Sequence, residues 1–436
     1  MPACRSSWFV VVLLAFASGR PEGSLAQERQ GVGGGGRSEI VGGKWFDGEK
    51  FVARTAYVVD GYFVAERPPA VDRVIRVDGS FVVPPYGDAH THNLAGAYQL
   101  AEAFETYRRQ GIYYALVLGN SRRGVDTTFR RIHRGAIDIA WAFGALTSTL
   151  GHPFLHYEPR AMGLHDPSTW RARIDEIRRS RVLEDDGYWF LDTPADVEAK
   201  LPSLLLERRG HVKIILFHSE RHGALPPDTL SGLNLRGLDP SLVPGIVRRA
   251  HAAGLRVAAH VESVADFEVA VRTGVDLVAH LPGYNLGQNR DPAPFRLPEE
   301  LARLAGERGV VVTPTYAFGL SLVPADTSRQ VVLADLMRHN LGLLRRHGVR
   351  VAVGADMYRE TAWAEIEALR GLDLWSNAEL LRMWSDVTPS VVFPTRRVGR
   401  LAPGYEASFL ALDCSPLERF ECTQRISQRV KQGQAF

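Results

Sequence analysis

Between Glu39 and Val83 apolar and polar residues alternate in short runs, IVGGKWF, FVARTAYVV, YFVAE and VIRVDGSFVV, interrupted by Asp-Gly pairs. Period-two runs separated by Asp-Gly are hairpin chemistry, so this stretch reads as a small β module. Beyond residue 90 the period changes. The runs GIYYALVLG, AIDIAWAFGAL, HVKIILF, LRVAAHV, VDLVAHL, GVVVTPTY and VRVAVGAD are buried-strand-like, and with FVVPPYGDAH they make eight. Between them lie amphipathic stretches of helical period, such as AGAYQLAEAFETYRRQ, DPSLVPGIVRRAHAAG, VADFEVAVRTG, LPEELARLAGERG and RQVVLADLMRHNLGLLRRHG. Several end in Gly at a C-cap position. Eight strands alternating with helices over about 300 residues predict a (β/α)8 barrel.

Two segments fall outside that rhythm. Asp166 to Asp192 is long for a barrel connection and predicts an elaborated loop after strand three. The tail, GRLAPGYEASFLALDCSPLERFECTQRISQRVKQGQAF, returns to short strands. The simplest arrangement is an α/β chain with a β-sandwich domain composed of residues 39–82 and 400–436 and a barrel of residues 83–399 inserted in it.

Composition changes the picture mainly at the N-terminus. A single Arg precedes the apolar run FVVVLLAFA, and small residues follow, the pattern of a secretory signal. The run is well short of the ~20 residues that a membrane span needs. Cleavage fits after Ala17 or after Ala26; with the latter, residues 1–26 form the signal and the Gly-rich residues 27–38 a flexible linker. The chain is then exported, periplasmic or secreted, with no stable membrane span. At 436 residues, 45% hydrophobic and 23% charged, the composition is globular, and the net charge of +3 shows no basic stripe. Nucleic-acid binding is therefore not expected, and a small-molecule substrate is. Removal of the signal takes Cys4 and leaves Cys414 and Cys422, which export would permit to pair, or which are two separate thiols. A homo-oligomer is left open.

The chemistry concentrates at predicted strand ends, where barrel enzymes keep their sites. His90 and His92 end strand one, and alternation points both to one face, so two imidazoles can converge on one metal ion. His260 ends strand five, His280 strand six and Asp356 strand eight. Lys213 lies inside the otherwise apolar strand HVKIILF and must find a partner or lose its charge. Only five of the 52 basic residues are lysine, so its retention here suggests that the amine itself is needed.

These residues, with Asp88-Ala89-His90-Thr91-His92, Gly354-Ala355-Asp356 and the flanks Gly43-Lys44-Trp45-Phe46-Asp47-Gly48 and Pro403-Gly404-Tyr405-Glu406-Ala407-Ser408, resemble the amidohydrolase superfamily, most closely its imidazolonepropionase-like and prolidase-like branches. The resemblance spans essentially the whole mature chain. It implies that His90, His92 and Asp356 hold one Zn²⁺, that His260 and His280 hold a second, and that a carbamylated Lys213 bridges them. It implies metal-activated hydroxide as nucleophile, Asp356 as proton shuttle, and a hydrolase acting on carbon-nitrogen bonds. One departure stands out: Pro84 is followed by Pro85, Tyr86 and Gly87, where the family has Pro-Gly and an apolar pair.

Loops after strands carry specificity, which makes Asn120, Arg122, His218, His222, Tyr284 and Arg359 candidates for substrate contact. His133, His152, His156, His165, His211, His251, His339 and His347 receive no role. Two other readings compete: a one-metal deaminase, imidazolonepropionase-like hydrolase or lactonase, and a non-catalytic degenerate barrel.

Overall fold

The computed structural model describes residues 36–95, 100–131, 137–206, 210–224, 235–286 and 291–436. The signal segment, nearly all of the linker and His133 lie outside them. Eight parallel strands form one sheet in chain order: Tyr86–Thr91, Ile112–Asn120, Asp138–Thr147, Gly210–Ile215, Arg256–His260, Leu277–Ala279, Val311–Thr313 and Arg350–Val351. The last closes on the first through backbone bonds from Ala89 N to Val353 O (2.7 Å) and from Asp356 N to His90 O (2.7 Å). The chain is thus an α/β protein with a (β/α)8 barrel. Between the strands run amphipathic helices such as Val264–Thr273. That helix starts on a reciprocal Ser263–Asp266 cap and stops at Gly274 in the left-handed conformation.

Two further sheets come from the chain ends. Strands Tyr62–Val64, Ala56–Val59, Arg37–Val41 and Arg73–Arg76 make a four-stranded sheet. The other sheet has six strands in the order Gln434–Ala435, Ile426–Lys431, Phe409–Leu412, Phe81–Val83, Lys44–Phe46 and Phe51–Ala53, and so joins both termini. Ile40, Val58 and Phe63 from one sheet meet Trp45, Val82, Phe409 and Val430 from the other in a shared core.

FVVPPYGDAH resolves into two strands separated by Pro84-Pro85, Phe81–Val83 in the six-stranded sheet and Tyr86–Thr91 in the barrel. The departure from the expected motif has a packing reason. The Tyr86 ring stacks on Trp384 at 3.8 Å, and its hydroxyl donates to Thr423 O across the junction. At Gly87 a Cβ would lie 2.7 Å from Thr388 Cγ2, so only glycine lets helix Thr388–Val392 approach.

The same junction carries a buried ion cluster. Asp138, the first residue of strand three, accepts from Lys431 Nζ (2.6 Å) and Arg396 Nη2 (2.7 Å), and Arg396 also pairs with Glu406. Cys414 and Cys422, left open by the sequence, form a disulfide.

The long connection after strand three folds into helices Phe154–Ala161, Pro167–Arg173 and Ile174–Arg179 and a short strand, Trp189–Phe190, that pairs with strand three. It has its own core of Phe154, Ile177, Tyr188 and Phe190. The fully buried Glu158 carboxylate ties it together by accepting from Ser180 Oγ, Val182 N, Leu183 N and Tyr188 Oη.

Candidate metal centre

The two histidines of strand one point into the barrel mouth, as the period of two requires. Their Nε2 atoms both lie 3.0 Å from the same oxygen of Asp356, Oδ1. The three ligand atoms fall within 4.8 Å of one another, close enough for one ion. Around them close the other strand ends, with His90 and His280 ring centres 5.2 Å apart and His260 and His280 4.6 Å apart. One cavity, partly open to solvent, is lined by His90, His92, Lys213, His260 and His280 together. Backbone strain collects here as well. His280, Thr315 and Asp356, just beyond strands six, seven and eight, all adopt positive φ (77°, 51° and 57°), a conformation that non-glycine residues keep only where their surroundings enforce it.

Electrostatics suit a cation. Burial lowers His90 to about 4 and His280 well below the ordinary histidine value, which keeps both rings neutral and their lone pairs available. Burial would raise the Asp356 carboxyl, but the His90 and His280 rings and the hydrogen bonds from His90 and His92 outweigh it, so Asp356 stays well below the usual carboxylate range. Burial also lowers Lys213 to about 8, and its Nζ has no hydrogen-bond partner among the described residues. Two imidazoles on one carboxylate oxygen and an orphaned amine in the same cavity fit a metal-binding set better than a self-sufficient hydrogen-bond network.

Two neighbours orient the rings. Glu262, two residues after His260 and also buried, lies 3.0 Å from His260 Nε2 and accepts from Tyr284 Oη at 2.9 Å. Thr315 Oγ1 lies 2.7 Å from His280 Nδ1. Such partners fix which ring nitrogen faces an ion.

Of the candidates for substrate contact, Tyr284 is brought to the centre, its ring stacked on His280 at 4.3 Å. None of the six candidates is among the residues that line the cavity itself. Asn120 is buried, with Oδ1 accepting from Ser121 N. Arg122 opens helix Arg122–Arg131 and lies over Trp189 of the long connection. His218 pairs with Glu220, His222 sits in the turn Ser219–Ala224, and Arg359 is exposed. The cavity instead gains His152 and Tyr157, neither of them a candidate from sequence, from the start of the long connection. His152 stacks on His260 at 4.8 Å. Its place directly after a barrel strand was the available signal. Tyr358, two residues past Asp356 and exposed, stacks on His92 at the mouth.

No protein-family profile and no curated protein sequence matches the chain. Solved structures do match. A prolidase complexed with N-methylphosphonate-L-proline is 20% identical, with 92% of this chain and 99% of that one covered at a TM-score of 0.66. An amidohydrolase is 21% identical, covering 92% and 98% at 0.64. The A. niger ochratoxinase is 18% identical, covering 93% and 96% at 0.68. Over nearly its whole described length, the chain shares the fold of these solved structures.

Proposed function

We propose that the chain is an exported, metal-dependent hydrolase that cleaves amide bonds of peptide-like or cyclic substrates with two Zn²⁺ ions. The observation that carries this reading is Lys213, a buried amine without a partner among the described residues, facing a cavity ringed by His90, His92, His260 and His280. The prolidase and the amidohydrolase among the structures of the same fold support it, and the Cys414–Cys422 disulfide suits an oxidising compartment outside the cytosol.

In this reading His90, His92, His260, His280 and Asp356, with Lys213 as a carbamate, would hold the ions. Ions so held would lower the pKa of a bound water towards neutrality and polarise the scissile carbonyl. The chain's own groups do the rest. Asp356, with Oδ1 facing the two histidines, takes up the nucleophile's proton at Oδ2 and returns it to the leaving nitrogen. Glu262 holds the His260 tautomer, while His152 and Tyr157 close the side of the cavity formed by the long connection. The products are a carboxylate and an amine.

The carbamate forms when the neutral Lys213 amine attacks CO₂, making one N–C bond and releasing one N–H proton. With Lys213 at about 8, the amine is mostly protonated below that pH and mostly neutral above it. Zinc loading of metal-free protein at fixed dissolved CO₂ is therefore expected to be on the order of 20-fold faster at pH 8.5 than at pH 6.5. Stopped-flow indicator assays of zinc uptake would read the ratio, and a flat profile would argue against a carbamate.

The deciding experiment is a panel of dipeptides, N-acyl amino acids, hydantoins and lactones, run on freshly zinc-loaded protein with and without a chelator, beside elemental analysis. Metal-dependent amide turnover with two zincs per chain, falling in Lys213→Ala, is expected. One observation favours a second reading: among the described residues, only His90, His92 and Asp356 form a group of three such ligands near one point. One zinc per chain, unchanged by Lys213→Ala, would select that one-metal hydrolase. No chelator-sensitive turnover on any substrate would point to a barrel without catalysis.

A further inference from the structure

We propose that Glu365 is a positioning residue of the metal centre, acting through Thr315 on His280; the proposal rests on the reading of His280 as a ligand. Beyond strand seven the chain turns over Pro314 and Thr315 into the short helix Tyr316–Ser321. Thr315 stands in that turn at φ 51° and ψ 39°, fully buried. A β-branched residue is an outlier in that conformation, where glycine or asparagine sits more easily. What threonine offers is its hydroxyl, 2.7 Å from His280 Nδ1. As acceptor it keeps the proton on Nδ1 and leaves the Nε2 lone pair for an ion. The nearby Asp356 Oδ2, at 3.6 Å, is too far to take over that bond.

The turn is held from the next helix of the barrel. Glu365, on helix Ala362–Arg370, is fully buried, and its two oxygens accept separately from Tyr316 N (Oε1, 3.0 Å) and Ala317 N (Oε2, 2.7 Å). These are the two residues directly after Thr315, so the carboxyl group fixes the backbone that presents the hydroxyl. Only an acceptor at both oxygens satisfies both N–H groups. Glutamine would turn an NH₂ towards one of them, which makes Glu365→Gln a sharp substitution of nearly unchanged volume. The helix carrying Glu365 is itself docked on strand one, with Ala362 N donating to Asp88 Oδ2. One helix thus spans from the strand that bears His90 and His92 to the turn that orients His280.

The test titrates metal-free protein with Co²⁺ and follows stoichiometry, affinity and the visible ligand-field bands. Thr315→Val and Glu365→Gln are each expected to weaken the more weakly held cobalt by about 10–100-fold and to alter its bands. Thr315→Ser, which keeps the hydroxyl, should restore both, and the double variant should be no worse than the worse single one. Glu365→Gln with a lowered melting temperature but unchanged cobalt affinity and bands would overturn the proposal, as would single effects that simply multiply in the double variant. Wild-type protein that takes up no cobalt would instead overturn the reading of His280 as a ligand, and the proposal with it.

Discussion

Asp356→Asn is expected to lower turnover by about 10²–10⁴-fold while leaving the barrel folded. The asparagine matches aspartate in volume and tolerates the left-handed backbone at φ 57° about as well, so the fold has no reason to fail. The chemistry does. Oδ1 faces both His90 Nε2 and His92 Nε2 at 3.0 Å, and an amide can offer only one acceptor atom where the carboxylate offers two. The amide also takes up no proton near neutral pH, which removes the group that would carry it from nucleophile to leaving nitrogen. The kcat on the best amide of the panel, measured beside zinc content and circular dichroism, gives the result. A variant with wild-type zinc and a rate within tenfold of wild type would remove Asp356 as proton carrier.

The largest loss of stability is expected far from the cavity, at the opposite end of strand three. Asp138→Ala takes one carboxylate from Lys431 and from Arg396 in a buried cluster, and breaking a buried pair from one side costs about 3–5 kcal/mol. Burial alone would raise the Asp138 carboxyl; Lys431 and Arg396 more than reverse that and hold it below its ordinary value. A carboxylate with a depressed folded value stabilises above its unfolded value and loses that contribution as pH falls through the folded one. The variant and the wild type should therefore differ fully at neutral pH and converge in strong acid. Urea unfolding at pH 7.5 and at pH 3, followed by tryptophan fluorescence, measures the difference. A gap under about 1 kcal/mol at pH 7.5 would place the cluster among pairs of negligible weight. Turnover per folded molecule should not change, because the cluster and the cavity sit at opposite ends of the strand.

What the sequence disclosed and what it hid have separate physical origins. That His90, His92, Lys213, His260 and His280 meet at one cavity was legible because a strand has a fixed period and barrel chemistry sits at strand ends, two local rules that survive folding. Glu262 obeys the same rule, two residues past His260. His152 falls under the same rule, in the loop after strand three, whereas Tyr157 belongs to a helix of the long connection, whose path across the mouth no local period announces. Arg122 followed the strand-end rule and still does not line the cavity, its guanidinium lying over Trp189 of that connection. The Glu365 clamp lies beyond local rules: it joins residues about 50 positions apart, brought together by the curvature of the barrel. Pro84-Pro85-Tyr86-Gly87 owes its form to the stacking of Tyr86 on Trp384, a contact between residues about 300 positions apart that no local pattern carries.

Phe81–Val83 pairs on one side with Lys44–Phe46 and on the other with Phe409–Leu412. Read along the ribosome's direction of travel, that sheet is left half-built for most of the chain's synthesis. About 330 residues must be added before its missing strand exists, an interval on the order of tens of seconds at ordinary elongation rates. Throughout it Phe81–Val83 offers an open hydrogen-bonding edge, backed by apolar side chains, to any passing strand. The nascent protein therefore carries its sticky edge first and its cover last. Its demand for chaperones should end only when residues 409–435 emerge and complete the sheet, whatever the state of the barrel between them.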